Sequence, residues 1–138
     1  MKKKVLIVLV LLLLFAGTVY AALNVEIDRG ITITAVVLEV SENDGVYGLT
    51  FCETENTVDP LANASLDQDT KITGAKNEKK QAGDIKPSQL IEITHDGTIL
   101  EIYPKIYSKI YKIKILGEAD KQLYESAGEL LKPHRLEQ

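Results

Sequence analysis

Cysteine is nearly missing from this chain. Cys52 stands alone among 138 residues, so an internal disulfide is excluded. It also lies far from the N-terminus, which excludes it as the lipid-bearing cysteine of a bacterial lipoprotein. In a strand-like setting it reads as a small core hydrophobe. Basic residues are missing between Arg29 and Lys71, where eight acidic ones fall: Glu39, Glu42, Asp44, Glu53, Glu55, Asp59, Asp67 and Asp69. The two histidines, His95 and His134, have no ligand spacing to each other or to Cys52, so no metal site is expected. G-x-S-x-G, H-E-x-x-H, C-x-x-C and phosphate-loop patterns are absent, and so are internal repeats and low-complexity segments. No cofactor is implied.

The N-terminus carries the strongest compositional signal. Met1-Lys2-Lys3-Lys4 is followed by an unbroken apolar run from Val5 to Ala16, then by Gly17 to Ala22. A basic end, an apolar middle and small residues form the layout of a secretory signal. Val19 and Ala21 suit a cut between Ala21 and Ala22. The alternative is an uncleaved anchor, since Val5 to Leu23 is 19 residues, near the lower limit for a spanning helix. Both readings put the rest of the chain outside the cytoplasm. Cleavage would leave 13 basic residues against 20 acidic, a net charge of −7. That balance disfavours nucleic acid and anionic membranes, and membrane contact is expected only through residues 5–23, if uncleaved. The acidic half suits a basic partner.

Beyond the leader, the pattern is β-rich. Ile31 to Val40 alternates with a slip in the middle, which a bulge near Ala35 or burial on both faces would explain. Ser41 to Gly45 is turn chemistry, and Val46 to Glu53 is a second strand. Leu90 to Pro104 reads as a hairpin about Asp96-Gly97, because Asp-Gly favours a type I′ turn. That register pairs Ile93 with Leu100 and Ile91 with Ile102, and sets Glu92 opposite Glu101. Ile106 to Leu116 alternates again, with Tyr111, Ile113 and Ile115 on the apolar face and Lys112 and Lys114 on the other. In the tail, Leu123, Ala127, Leu130 and Leu131 recur at helical spacing and predict an amphipathic helix over 118–131 that Pro133 stops. The expected organisation is a leader over 1–21, a β domain over 31–117 and a helical tail over 118–138. The expected fold is mainly β: a small OB-like Greek-key barrel with an N-terminal helix and a short C-terminal helix.

Three stretches carry a resemblance. They are Asp69-Thr70-Lys71-Ile72, then Gln89 to Pro104, then Tyr111 to Leu116. Together they resemble the YobA-like bacterial domain family. Gly97 to Pro104 is similar to that family's G-x-I-x-E-S-Y-P signature, with Ile102 in place of the serine. The resemblance covers about Ile31 to Leu116. It implies a small extracytoplasmic protein with an OB-like β-barrel. Many such proteins are lipoproteins, but this chain has no lipobox cysteine. The family has no assigned activity.

The candidate binding residues follow from the hairpin and from what flanks it. Glu92 and Glu101 would form a carboxylate pair. Like charges placed opposite each other need compensation, which Lys112 and Lys114, a cation or a partner's basic group would supply. Paired carboxylates also serve glycoside hydrolysis. The plain alternative is a solvated, salt-bridged sheet face. Tyr103, Tyr107 and Tyr111 suit stacking on a sugar or peptide; alternatively Tyr111 faces the core and the other two tuck beside Pro104. No catalytic residue is assigned. The expected function is an exported, non-enzymatic β-barrel module that binds a protein or cell-envelope component. The rival expectation is a carbohydrate-active or small-ligand protein using the Glu92/Glu101 face.

Overall fold

The computed structural model describes residues 2–23 and 30–135, and the side chains of 2–14 and 30–132. The expected cleavage site at Ala21 and Ala22 lies outside the described side chains, and the polar lead-in 24–29 lies outside the described residues. Helix α1 (Lys2–Leu23) forms over the apolar run, and its side chains from Val5 to Leu14 are exposed. Among the described residues, no helix is long and apolar enough to cross a membrane.

Among the described residues, the body of the chain is one eight-stranded sheet. Its strands are β1 (Ile31–Asn43), β2 (Val46–Glu53), β3 (Leu61–Leu66), β4 (Lys71–Gly74), β5 (Gln89–His95), β6 (Ile99–Leu100), β7 (Lys105–Tyr107) and β8 (Ile110–Glu118). They are hydrogen-bonded in the order β4-β8-β5-β1-β2-β3-β7-β6. Long, β-branched β1 is the spine. Its first half pairs with β5 and its second half with β2, both antiparallel. A bulge interrupts the β1–β2 register between Val37 and Glu39, and Ala35 to Leu38 are buried without a break. The phase slip in the sequence thus reflects burial on both faces, and the bulge falls at Leu38, not near Ala35. On one face Ala35 and Val37 enter the main core with Phe51, Ile91, Ile93 and Ile113. On the other, Leu38, Cys52 and Leu61 meet Ala127 of helix α2 (Lys121–Arg135).

Three expectations are corrected. First, the mainly β fold and both helices are present, but the sheet does not close into a barrel; β4 and β6 are its hydrogen-bonded edges. The free side of β3 is taken by β7, a parallel pairing from Ala62↔Lys105 to Ala64↔Tyr107, so β3 does not go on to pair with β8. Second, β5 and β6 form no hairpin. Both sides of β5 are occupied, by β1 and β8, and β6 pairs with β7 instead. Of Asp96 and Gly97 only Gly97 has positive φ, whereas a type I′ turn needs both. The two-residue turn of that kind is Asp44-Gly45, at φ 51° and 78°, between the paired residues Asn43 and Val46. Third, the C-terminal helix begins at Lys121, not at Glu118. Glu118 is still strand, opposite Gln89, and the Asp120 carboxylate accepts from the Gln122 and Leu123 backbone N–H groups as a cap. Pro133 lies inside the helix.

Candidate functional site

Of the expected site residues, Glu92, Lys112 and Lys114 come together, and Glu101, Tyr103 and Tyr107 do not join them. Glu92 lies on β5 between Thr34 of β1 and Lys114 of β8, and Lys112 faces Thr94. These form a shallow depression of about 160 Å³ with Thr32, whose hydroxyl lies 3.0 Å from that of Thr94. Glu101 is not opposite Glu92. It is exposed in the stretch joining β6 to β7, so the carboxylate pair does not exist. The tyrosines separate as well. Tyr103 is exposed, Tyr107 is buried, and Tyr111 is exposed where a core position was expected. A register shift in the β5–β8 ladder is the reason for Tyr111. It pairs Thr94 with Lys112 but His95 with Ile110, so Ile110 takes the inward place and Tyr111 turns out. The acidic half is less available than its composition suggested. Glu53 is buried in an ion pair, and Asp67 is bridged to Lys109 at 2.5 Å.

Two features take the place of the expected site. The first is a buried polar cluster where β2, β5 and β7 end or begin. Glu53 closes β2 and Lys105 opens β7, and Lys105 Nζ lies 2.7 Å from Glu53 Oε1 with both side chains 9% exposed. The Tyr107 hydroxyl donates to the same carboxylate, and Lys105 also donates to the Asp59 carbonyl at 2.7 Å. The Tyr107 ring packs edge-on against His95 at 4.5 Å and tilted against Phe51 at 5.5 Å. Burial first, and the Glu53 carboxylate second, push the Tyr107 phenol far above its ordinary value. The phenol therefore stays a hydrogen-bond donor. His95 Nδ1 accepts from the Gly97 N–H at 3.1 Å, which leaves the proton on Nε2. That buried Nε2 has no hydrogen-bond partner among the described residues. These groups fasten three strand ends and the 54–60 loop together.

Burial lowers the His95 pKa from 6.5, more than the opposing pull of Asp96 and Glu53 raises it. Below pH 6.5 the unfolded chain therefore takes up a proton that the folded chain resists. Stability should be full above that pH and decline as pH falls toward the lower folded value. The check is the urea midpoint at pH 7.5 and at pH 5.5 for the native chain and for His95→Asn, whose side-chain oxygen can still accept from Gly97. The native chain should lose stability over this interval and the variant much less. Equal losses would assign the effect to other groups.

The second feature is a groove of about 930 Å³ at the end of the sheet that holds the β1–β2 turn. Its lining is mostly apolar, with Tyr47, Leu66, Ile72 and Ala82 contributing. Asp44 stands on the β1–β2 turn, and Lys79 and Lys80 come from the segment after β4. That segment is folded back on β4: the Lys80 N–H donates to the Ile72 carbonyl at 2.9 Å, and Thr73 bridges to Lys79. The volume lies in the range of pockets that hold small ligands, roughly 300–1,000 Å³. Sequence reasoning missed both features. By its sequence, Gly74 to Lys86 is a polar, lysine-rich stretch that suits an exposed loop or a short helix, and nothing in it marks a groove wall. Among the described residues no group of three or more His, Cys, Asp or Glu side chains could hold a metal ion. Neither a family model, nor a curated protein, nor a solved structure matches the chain.

Proposed function

We propose that this chain is an exported, non-enzymatic β module that binds an extended segment of a protein partner in the groove between the β1–β2 turn and the segment after β4. One observation carries the reading: an apolar trough, flanked by Asp44 on one side and by Lys79 and Lys80 on the other. Apolar floors with a few charged groups on the rim bind through burial and orient through charge. A polypeptide carrying both signs of charge meets both walls. Export is supported by three lysines ahead of the apolar α1.

The resemblance to YobA-like proteins agrees with this reading, and so does the path of the strands. Taken through the covalent link Asp67 to Thr70, β3 leads into β4, and the open series β1-β2-β3/β4-β8-β5-β1 supports an OB-like strand order without closing it. The β6–β7 excursion is then an insertion on the side of β3. The separation of Glu92 from Glu101 favours this reading over a carbohydrate-active or small-ligand protein that uses both carboxylates.

The test is a photocrosslinking side chain placed at Lys80 in living cells, with a second at Lys121 on α2 as control. The Lys80 position should capture one reproducible protein. Adding Tyr47→Ala should reduce that capture about fivefold or more, the loss expected when a central contact worth about 1 kcal/mol is removed. Identical products from both positions, or no effect of Tyr47→Ala, would sink the proposal.

A further inference from the structure

The end of the sheet away from the β1–β2 turn is where β1 starts. Ile31 faces His95, the last residue of β5. β2 finishes at Glu53, opposite Ala35, and β7 begins at Lys105, opposite Ala62 near the start of β3. The connecting segments 54–60, 96–98 and 101–104 therefore gather at this end. The first is tied to β7 by the bond from Lys105 to the Asp59 carbonyl. Ile31, Val58, Leu100, Ile102, Tyr103 and Tyr111 are found here, each between 42% and 92% exposed. At the β1–β2 turn, Val46 is the one large apolar side chain that is similarly exposed among the described residues. An apolar surface of this kind, gathered at one end, marks an interaction face.

The position of α1 says what covers it. The chain enters β1 at this same end, and the seven residues between Leu23 and Ile31 span at most about 30 Å when fully extended. Val5 to Leu14 of α1 are apolar and exposed, behind three lysines. We propose that α1 is retained and held in a lipid bilayer by the 19-residue stretch Val5 to Leu23, which is longer than the part of α1 whose side chains are described, and that the Ile31 end of the β domain seats on that bilayer at headgroup depth. Tyrosine suits this layer, with an apolar ring and a wet hydroxyl, and the aliphatic Ile31, Leu100 and Ile102 would bury apolar surface beside it. Glu55, Asp96 and Glu101 are exposed in the same connecting segments. They would be repelled by anionic lipid, so the surface recognised is a zwitterionic one. The β1–β2 turn, which forms one wall of the groove, is then turned away from the bilayer. The seating rests on the exported reading but not on the groove's ligand.

The chain contains no tryptophan, so one introduced indole reports one place. The full chain is placed in phosphatidylcholine vesicles brominated on the upper acyl carbons, carrying Tyr103→Trp or, at the far end, Val46→Trp. Circular dichroism and thermal midpoints confirm folding, and Ile102→Trp replaces Tyr103→Trp if that variant fails to fold. The Tyr103→Trp emission should fall by about half and the Val46→Trp emission stay unchanged, with no gain when anionic lipid is added. Equal quenching at both positions, or none at either, overturns the seating. So does recovery from cells of a chain that begins at Ala22. Capture at Lys80 can succeed or fail independently of this result, which keeps the two proposals separable.

Discussion

Lys105→Ala is expected to destabilise the folded chain by about 3–5 kcal/mol, measured as the shift in a urea unfolding curve. The ammonium group neutralises Glu53 at 2.7 Å in a site where both side chains are 9% exposed. Removing it leaves a buried carboxylate with the Tyr107 hydroxyl as its remaining side-chain donor and strips the Asp59 carbonyl of its partner. Desolvating an unpaired charge dominates such a loss, because the pair's own net worth is small once both groups have left water. The double change Glu53→Gln with Lys105→Met should therefore recover much of the stability. It removes both charges, and the amide oxygen that replaces the carboxylate can still accept from Tyr107. A cost below about 1 kcal/mol for Lys105→Ala would mean that water reaches Glu53 in the folded state.

Phe51→Ala should cost a comparable 3–5 kcal/mol for a different reason. Phe51 has no exposed surface and sits where β1, β2 and β3 run side by side, opposite Val37 on one side and Ala62 on the other. Its ring also supports Tyr107 at 5.5 Å. Truncation removes the burial energy of a phenyl ring and leaves a cavity that backbone ladders on both sides prevent from collapsing. Against the 5–15 kcal/mol typical of a whole domain, a loss near 4 kcal/mol moves the unfolding midpoint far enough to see by eye. Val58→Ala, at a side chain 92% exposed, is the control and should stay within about 0.5 kcal/mol. Because Phe51 and Lys105 both touch Tyr107, the two large losses should not add when combined. Strict additivity would show that the ring contact carries little.

Much of the β domain was legible in advance. Ile31 to Val40 and Val46 to Glu53 announce themselves by β-branched and aromatic residues, and the turn between them by Asp44-Gly45. The alternation of Ile113 and Ile115 with Lys112 and Lys114 marks a half-buried strand, and the helical spacing of Leu123, Ala127 and Leu131 marks α2. The same local logic failed at Asp96-Gly97. The dipeptide is identical to the one that makes the β1–β2 turn. What differs is the state of the neighbouring strand: β5 has β1 and β8 on its two sides, so Ile99 and Leu100 find no edge there and pair with β7. Glu92 and Glu101 were placed together on the strength of that register and separated with it. The buried cluster was invisible for a related reason. Glu53, His95, Lys105 and Tyr107 are polar residues at strand ends, where sequence alone favours solvent, and only β7 lying along β3 encloses them.

The sequence by itself determined most of the segments that become strand or helix, the tight turn at Asp44-Gly45, and that an apolar helix precedes an acidic β domain. These are short-range properties, decided by side-chain shape, alternation and the few residues that accept positive φ. The tertiary structure decided which strand lies beside which, that β1 is buried on both faces, that Tyr107 is inside while Tyr111 is outside, and where the groove opens. Ladder hydrogen bonds are chemically the same for every strand, and alternation says only that a strand has two faces. The choice of neighbour comes from the competition of all the edges for one another, which no single stretch contains.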